Sequence, residues 1–421
     1  MNDHLNPLTR RRFLTWSGVA AAGALATVGA TQVDWDNLMS AASDDPLDPD
    51  AGVLVVLTLY GGNDGLNTVV PASDNAYQDA RPDLAYKPGE VLDLGENLGL
   101  NPGMKGMKGL WDDGKLAVVR GVGYPKPDHS HFRSMGIWQT GSPDTPIPTG
   151  WLGRWLDVTD GNPLHALAID PVLPPLFAGE KTAAASLPAG GLVLPKGDLG
   201  EGFAALGAAS DGEEHWQAAA ARSITDLHNA AKTLGGAVHG PDGEDKDQDE
   251  ERDKGASAGG NSGLAAQLDV VARLIEAGVP TRAYSVSLGG FDTHADERGT
   301  QERLLTELDT ALTPFAKRLA ATDRGKQAVV LVYSEFGRRV KGNASDGTDH
   351  GTAGPVFVLG DRVHGGFFGD QPSLTDLDED DLKSTTDFRD VYASMLTDVL
   401  GADPGQILDG HTQKVDGLVN T

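Results

Sequence analysis

Short runs of consecutive apolar residues alternate along this chain with longer stretches in which apolar positions return every three or four residues. Val53 to Leu59 is one such run, β-branched and bounded by glycines, and similar runs recur at Leu116–Val119, Leu164–Ile169, Ala283–Leu288, Ala328–Val332 and Val356–Leu359. Runs of this length predict strands buried on both faces. Between several of them the period becomes helical. Leu264–Ala277 puts Leu264, Leu268, Val271, Leu274 and Ile275 on one face, and Glu302–Ala320 and Asp387–Leu400 behave alike. Strands alternating with amphipathic helices predict an α/β fold, a mainly parallel central sheet flanked by helices.

Three segments stand outside this rhythm. Thr9-Arg10-Arg11-Arg12-Phe13-Leu14 precedes a weakly apolar, Ala/Gly-rich stretch from Val19 to Gly29, and Val28-Gly29-Ala30 offers small residues before Thr31. Residues 1–30 therefore read as a twin-arginine signal peptide, the alternative being a basic arm on a cytoplasmic protein. That pathway carries proteins already folded, often with metal installed. Residues 31–50 read as a polar leader and 51–421 as a single domain. Within it, Gly235 to Gly263 reads as a disordered acidic insertion, with eight acids against three bases over Pro241–Gly255. Its Gly255-Ala256-Ser257-Ala258-Gly259 matches a nucleophile-elbow pattern but lacks the preceding strand that pattern needs.

Composition narrows the function. The 421 residues hold 34 Lys+Arg against 61 Asp+Glu, a formal charge of −27, which argues against nucleic acid as a partner. No apolar run in the body of the chain approaches a membrane span. Cysteine is absent, which excludes disulfides, thiolate metal sites and thiol nucleophiles.

In open parallel sheets, sites form beyond the carboxyl ends of strands. Gly61-Gly62-Asn63-Asp64-Gly65 follows the first run and projects Asp64, although Asn-Asp-Gly is also a common turn. Gly289-Gly290-Phe291-Asp292-Thr293-His294 follows Leu288, where Asp292 and His294 can converge on a cation or Asp292 can cap a helix. Glu335 follows the run ending at Val332, as a ligand or a salt-bridged acid beside Arg338 and Arg339, and Asp349-His350 precedes the last run. In Asp128-His129-Ser130-His131, a hydroxyl between two imidazoles at a helix start is a candidate nucleophile or an N-cap. Convergence of Asp64, Asp292, His294, Glu335, Asp349 and His350 would make a site for one or two divalent cations, Zn²⁺ or Mn²⁺ given the imidazoles.

The order of GGNDGLN at 61–67, HSHF…WQTG at 129–141, GGFDTH at 289–294, SEFGR at 334–338 and GTDHG at 347–351 resembles the exported bacterial domain-of-unknown-function family 1501. The likeness spans nearly the whole mature chain. That family is generally placed with the alkaline-phosphatase/sulfatase superfamily, so the resemblance implies an alkaline-phosphatase-like fold that hydrolyses or transfers phosphate or sulfate esters at a two-metal site. Asp64 then resembles the first-strand metal aspartate, Asp292 and His294 the Asp/His pair of the other metal, and His350 the late histidine before Pro355-Val356. Glu335-Phe336 stands where the superfamily has Asp-His, so one imidazole is missing. In another alignment Asp349-His350 is that pair and His364 the late histidine. Ser130 and His131 bracket the nucleophile position, and without cysteine a formylglycine sulfatase is not expected.

The expected activity is an exported metal-dependent hydrolase of small anionic phosphate or sulfate esters. Cations would activate water or Ser130, His129 or His131 would move protons or complete the second metal site, and Asn63 and Arg338 would bind substrate. The rival is a non-catalytic exported binding or assembly protein that keeps the fold, with another exported protein as partner. A Ser–His esterase, suggested by the block at Gly61–Asp64, lacks the Gly-Asp-Ser block that should precede it.

Overall fold

The computed structural model describes residues 31–32, 35–170, 172–187 and 263–420. The expected signal peptide, the acidic insertion up to 262 and the serine motif at 255–259 lie outside these residues. Among the described residues ten strands form one sheet: Thr31–Gln32 (β1), Val53–Leu59 (β2), Leu116–Gly123 (β3), Ala166–Ala168 (β4), Ala185–Ser186 (β5), Ala283–Leu288 (β6), Ala328–Ser334 (β7), Gly354–Leu359 (β8), Gly366–Phe368 (β9) and Thr386–Asp387 (β10). Their order is β1-β5-β4-β6-β2-β7-β8-β3-β9, with β10 also beside β3. Every pairing is parallel except the two made by β8, which runs against both β7 and β3. The mainly parallel sheet expected from the apolar runs is the one observed.

Helices cover both faces: Trp35–Asp44 (α1), Lys105–Asp112 (α2), His131–Thr140 (α3), Trp151–Val158 (α4), Leu264–Ala277 (α5), Glu297–Ala320 (α6) and Phe388–Ser394 (α7). Strand β2 shows why its sequence is an unbroken apolar run. Val53, Val55 and Leu57 enter the core shared with α1, α2, α5 and α6, while Leu54 and Val56 enter the core shared with α3, α4 and α7. Both faces are dry, so the usual alternation of apolar and polar residues disappears.

Two expectations change. Residues 31–50 are not a leader: β1 pairs with β5, and α1 and the turn after it bury Leu38 and Leu47 in the first core, with Arg273 over the Trp35 ring at 4.4 Å. Polar residues dominate this segment, yet its few apolar ones are enough to dock it. Helix α6 starts at Glu297, a turn earlier than the hydrophobic pattern predicts, because Glu297 and Gln301 are polar but fully buried. No helix among the described residues is long and apolar enough to cross a membrane.

The reversed strand matters most for the site. Its amino end lies at the same edge as the carboxyl ends of β2, β6 and β7. Residues leading into β8 therefore meet residues leaving the parallel strands. Between β7 and β8 the chain makes a two-stranded arm, Arg338–Gly342 with Thr348–His350.

Candidate metal centre

The loop after β2 begins with Gly61 and Gly62, both at positive φ (117° and 72°). A Cβ on Gly61 would lie 2.5 Å from the Asp292 backbone nitrogen, and one on Gly62 would lie 2.3 Å from the Phe336 ring. Glycine here lets the loop after β6 and the residues after β7 close over the end of β2.

Asp292 is the hub of what assembles there. Its Oδ1 lies 3.0 Å from His294 Nε2, 3.1 Å from His350 Nε2 and 3.4 Å from His131 Nε2, and accepts from Arg338 Nη2 at 2.8 Å. The His294 and His350 Nε2 atoms are 2.9 Å apart. Burial alone would raise the pKa of Asp292, but the hydrogen bond from Arg338 and the Arg338 charge hold it down to about 2. The carboxylate is thus charged at any ordinary pH.

The far sides of two imidazoles fix their tautomers. His131 Nδ1 meets the Glu335 carboxylate at 2.8 Å, and His350 Nδ1 meets the His129 carbonyl at 2.7 Å. Each acceptor requires Nδ1–H, so in the neutral ring each Nε2 turns a lone pair toward Asp292. Hydrogen bonding to Glu335 raises the His131 pKa, whereas burial lowers that of His350. Phe336 packs against both rings, with centroids 4.9 Å from His131 and 4.8 Å from His350.

His131, Asp292 and His350 together could hold a metal ion, and His294 joins them through its contacts with Asp292 and His350. Four-coordinate Zn²⁺ with bonds of about 2.0 Å spaces its ligand atoms about 3.3 Å apart, close to the spacings found. His131 Nε2 is buried and has no hydrogen-bond partner. An orphaned lone pair beside a carboxylate and two further imidazoles fits a cation. The N₃O donor set suits Zn²⁺ or Mn²⁺ better than Mg²⁺ or Ca²⁺.

The remaining expected site residues are placed differently. Asp64 is fully buried in a two-pronged ion pair with Arg81, whose Nη2 lies 3.0 Å from Oδ1, and it caps the Leu66 N–H. A dry carboxylate needs its own countercharge, and Arg81 supplies it. Glu335 does not face the cluster with a free oxygen. Oε1 accepts from Gly61 N–H and His131, Oε2 from the Ser334 hydroxyl, so it orients a ligand from behind. Arg338 is fully buried and donates to Gly61, Gly62, Phe291 and Thr348 carbonyls as well as to Asp292, so it braces these loops and is not presented to a substrate. Asn63 is buried too, its Oδ1 taking bonds from Thr68 and Gln301. Asp349 is exposed, 3.5 Å from His294 Nδ1. Ser130 is exposed at the N-cap of α3 without a capping side-chain bond, and His129 pairs with Asp381 at 2.7 Å.

Sequence reasoning did not find Arg81, Glu297 or Asp381. Arg81 and Asp381 have no motif around them. Glu297 lies in the first turn of α6, buried beside Asp64 and hydrogen-bonded by Thr348, and burial followed by the Asp64 charge pushes its pKa well up.

Fold and site define an α/β protein with a cluster of three imidazoles and a carboxylate at the carboxyl edge of its sheet. A sequence model of the family described as "Protein of unknown function (DUF1501)" matches residues 205–420, and the chain belongs to that family. Among solved structures the chain is similar to a protein in the alkaline phosphatase superfamily from Vibrio parahaemolyticus, with a TM-score of 0.40 and 10% identity over 94% of this chain and 78% of that one. It is also similar to the lipoteichoic acid synthase LtaP from Listeria monocytogenes, with a TM-score of 0.41 and 10% identity over 93% of this chain and 80% of that one. Among curated proteins nothing matches.

Proposed function

We propose that this protein is an exported hydrolase of small phosphate or sulfate esters that depends on one divalent cation, Zn²⁺ or Mn²⁺, held by His131, Asp292, His294 and His350. The observation that carries this reading is the orphaned, buried Nε2 of His131 aimed with His350 Nε2 at the charged Asp292 carboxylate. A cation there would supply Lewis-acid chemistry, acidifying water and neutralising charge on ester oxygens. The chain's own groups prepare the reaction. Glu335 keeps His131 in the ligating tautomer, and Arg338 keeps Asp292 ionised. His129 donates from Nε2 to Asp381, which leaves Nδ1 to take a proton from water. Ser130 is exposed at the N-cap of α3 without a capping side-chain bond, and in this reading water rather than Ser130 is the nucleophile.

Elemental analysis of mature protein purified without chelator tests this first. About one equivalent of Zn or Mn is expected per chain, and Asp292→Ala and His350→Ala should lose both metal and turnover of ester substrates. Two equivalents would overturn the single-cation reading. No metal, with none taken up on reconstitution, would favour a non-catalytic exported binding or assembly protein with an exported partner. The internal commitment of both Asn63 and Arg338 speaks for that second reading. For export, the paired change Arg10→Lys and Arg11→Lys should leave precursor in the cytoplasm, and normal export of it would overturn the twin-arginine route.

A further inference from the structure

We infer that the cleft beside the cluster binds an ammonium group on the alcohol part of the ester, making the substrate an amino-alcohol ester. The assignment of the ester rests on the hydrolase reading; the binding of ammonium does not.

The cleft encloses about 230 Å³ between the segment from Tyr124 to His129, Phe336, and the hairpin tip at Asp378–Asp381. Two residues join it to the cluster. Phe336 lines the cleft and packs on His131 and His350, and His129 lines it while its carbonyl holds His350. The charge of the lining is mainly negative: Asp378, Glu379 and Asp381 stand with one lining cation, Lys383, whose ammonium is tied to Asp376, and with Arg339 behind Asp381. Asp381 is only 3% exposed, and while Oδ2 bonds to His129, its buried Oδ1 has no hydrogen-bond partner. Arg339 Nε forms an ion pair with that oxygen at 3.4 Å but not a hydrogen bond.

Such a lining repels a second anionic group and attracts a cation. Tyr124 and Phe336 add aromatic side chains to the wall, and aromatic faces also attract ammonium groups. An ester with its anion at the cluster and its ammonium in the cleft has little net charge. It therefore meets little repulsion from a chain of charge −27.

Choline and its uncharged isostere 3,3-dimethylbutanol separate charge from shape. In calorimetry, choline should bind the wild-type protein saturably and the isostere should not. The surface pair Asp378→Asn and Glu379→Gln should weaken choline several-fold, with Asp381→Asn as an independent second variant. For metal-loaded protein, kcat/KM for phosphocholine should exceed that for 3,3-dimethylbutyl phosphate about tenfold, the effect of roughly one favourable charge contact. That ratio should fall toward one in the variants. Equal turnover of both esters with no choline binding would overturn this inference and leave the hydrolase reading standing. Selective choline binding without turnover of either ester would keep the cleft assignment and overturn the amino-alcohol phosphate as substrate. Absence of both overturns the whole inference.

Discussion

Two Gly-Gly-x-Asp turns leave parallel strands of the same sheet, Gly61–Asp64 after β2 and Gly289–Asp292 after β6. Their aspartates meet opposite fates. The Asp64 side chain is fully buried and gripped by both prongs of Arg81, whereas that of Asp292 is 48% exposed and gathers three imidazoles around one oxygen. The first carboxylate is neutralised within the chain and is a piece of architecture. The second keeps charge and exposure that can serve a cation. The shared Gly-Gly-x-Asp pattern does not decide which is which. The long-range partner does, an arginine 17 residues on in one case and a histidine 58 residues on in the other.

The largest test of this contrast is Arg81→Met. It strands a buried carboxylate, and the expected loss is about 3–5 kcal/mol in urea unfolding. Adding Asp64→Leu should recover most of that loss. A single variant as stable as wild type would mean that Asp64 does not need its arginine.

Glu335→Gln probes the other aspartate's surroundings. Losing the carboxylate behind His131 should weaken Zn²⁺ binding by about 10–100-fold, as measured by competition with a chelator. Unchanged affinity would remove Glu335 from the support of the centre.

Glu297 sharpens the contrast through pH. Its folded pKa lies well above the unfolded value of about 4.3, because it is buried and beside Asp64. Below both values the two states hold the proton alike. As pH climbs above the lower value, the unfolded state sheds its proton first and stability falls. Glu297→Gln cannot ionise, so it should lose less stability than wild type between about pH 5 and pH 8.5. Parallel pH profiles for the two proteins would refute the raised pKa.

The smallest effect is expected of Ser130→Ala. An exposed N-cap without a capping bond should change stability by less than about 0.5 kcal/mol and leave ester turnover intact. A large loss of turnover would restore Ser130 as the nucleophile.

Much of the fold was legible because strands buried on both faces write themselves as continuous apolar runs, as β2, β6 and β7 do. The docking of residues 31–50 was not, since a mostly polar segment carries only a few buried contacts such as Leu38 and Leu47. For the site, the strand-end rule led to Asp292, His294 and His350, and the imidazole pair at 129–131 was noticed for proton transfer or for completing a metal site. What the rule could not see is which groups a fold hides. Asn63, Asp64 and Arg338 look functional in one dimension because they are polar residues in glycine-rich turns. In three dimensions each answers a buried neighbour. Glu335 is intermediate, near the cluster but behind a ligand.

The reversed strand β8 has one more consequence. Because His350 reaches the cluster through its amino end, a cation held there ties together α3, the loop after β6 and the strand wedged between β7 and β3. It closes the 56-residue span from His294 to His350 and the longer one back to His131. In a chain without cysteine, that is the service a disulfide renders elsewhere: a cross-link whose loops the unfolded chain would otherwise explore. Unlike a disulfide, it strengthens with the concentration of what forms it. A cation held there would thus also be a fastener, and on that reading the melting temperature should rise with each increment of free Zn²⁺.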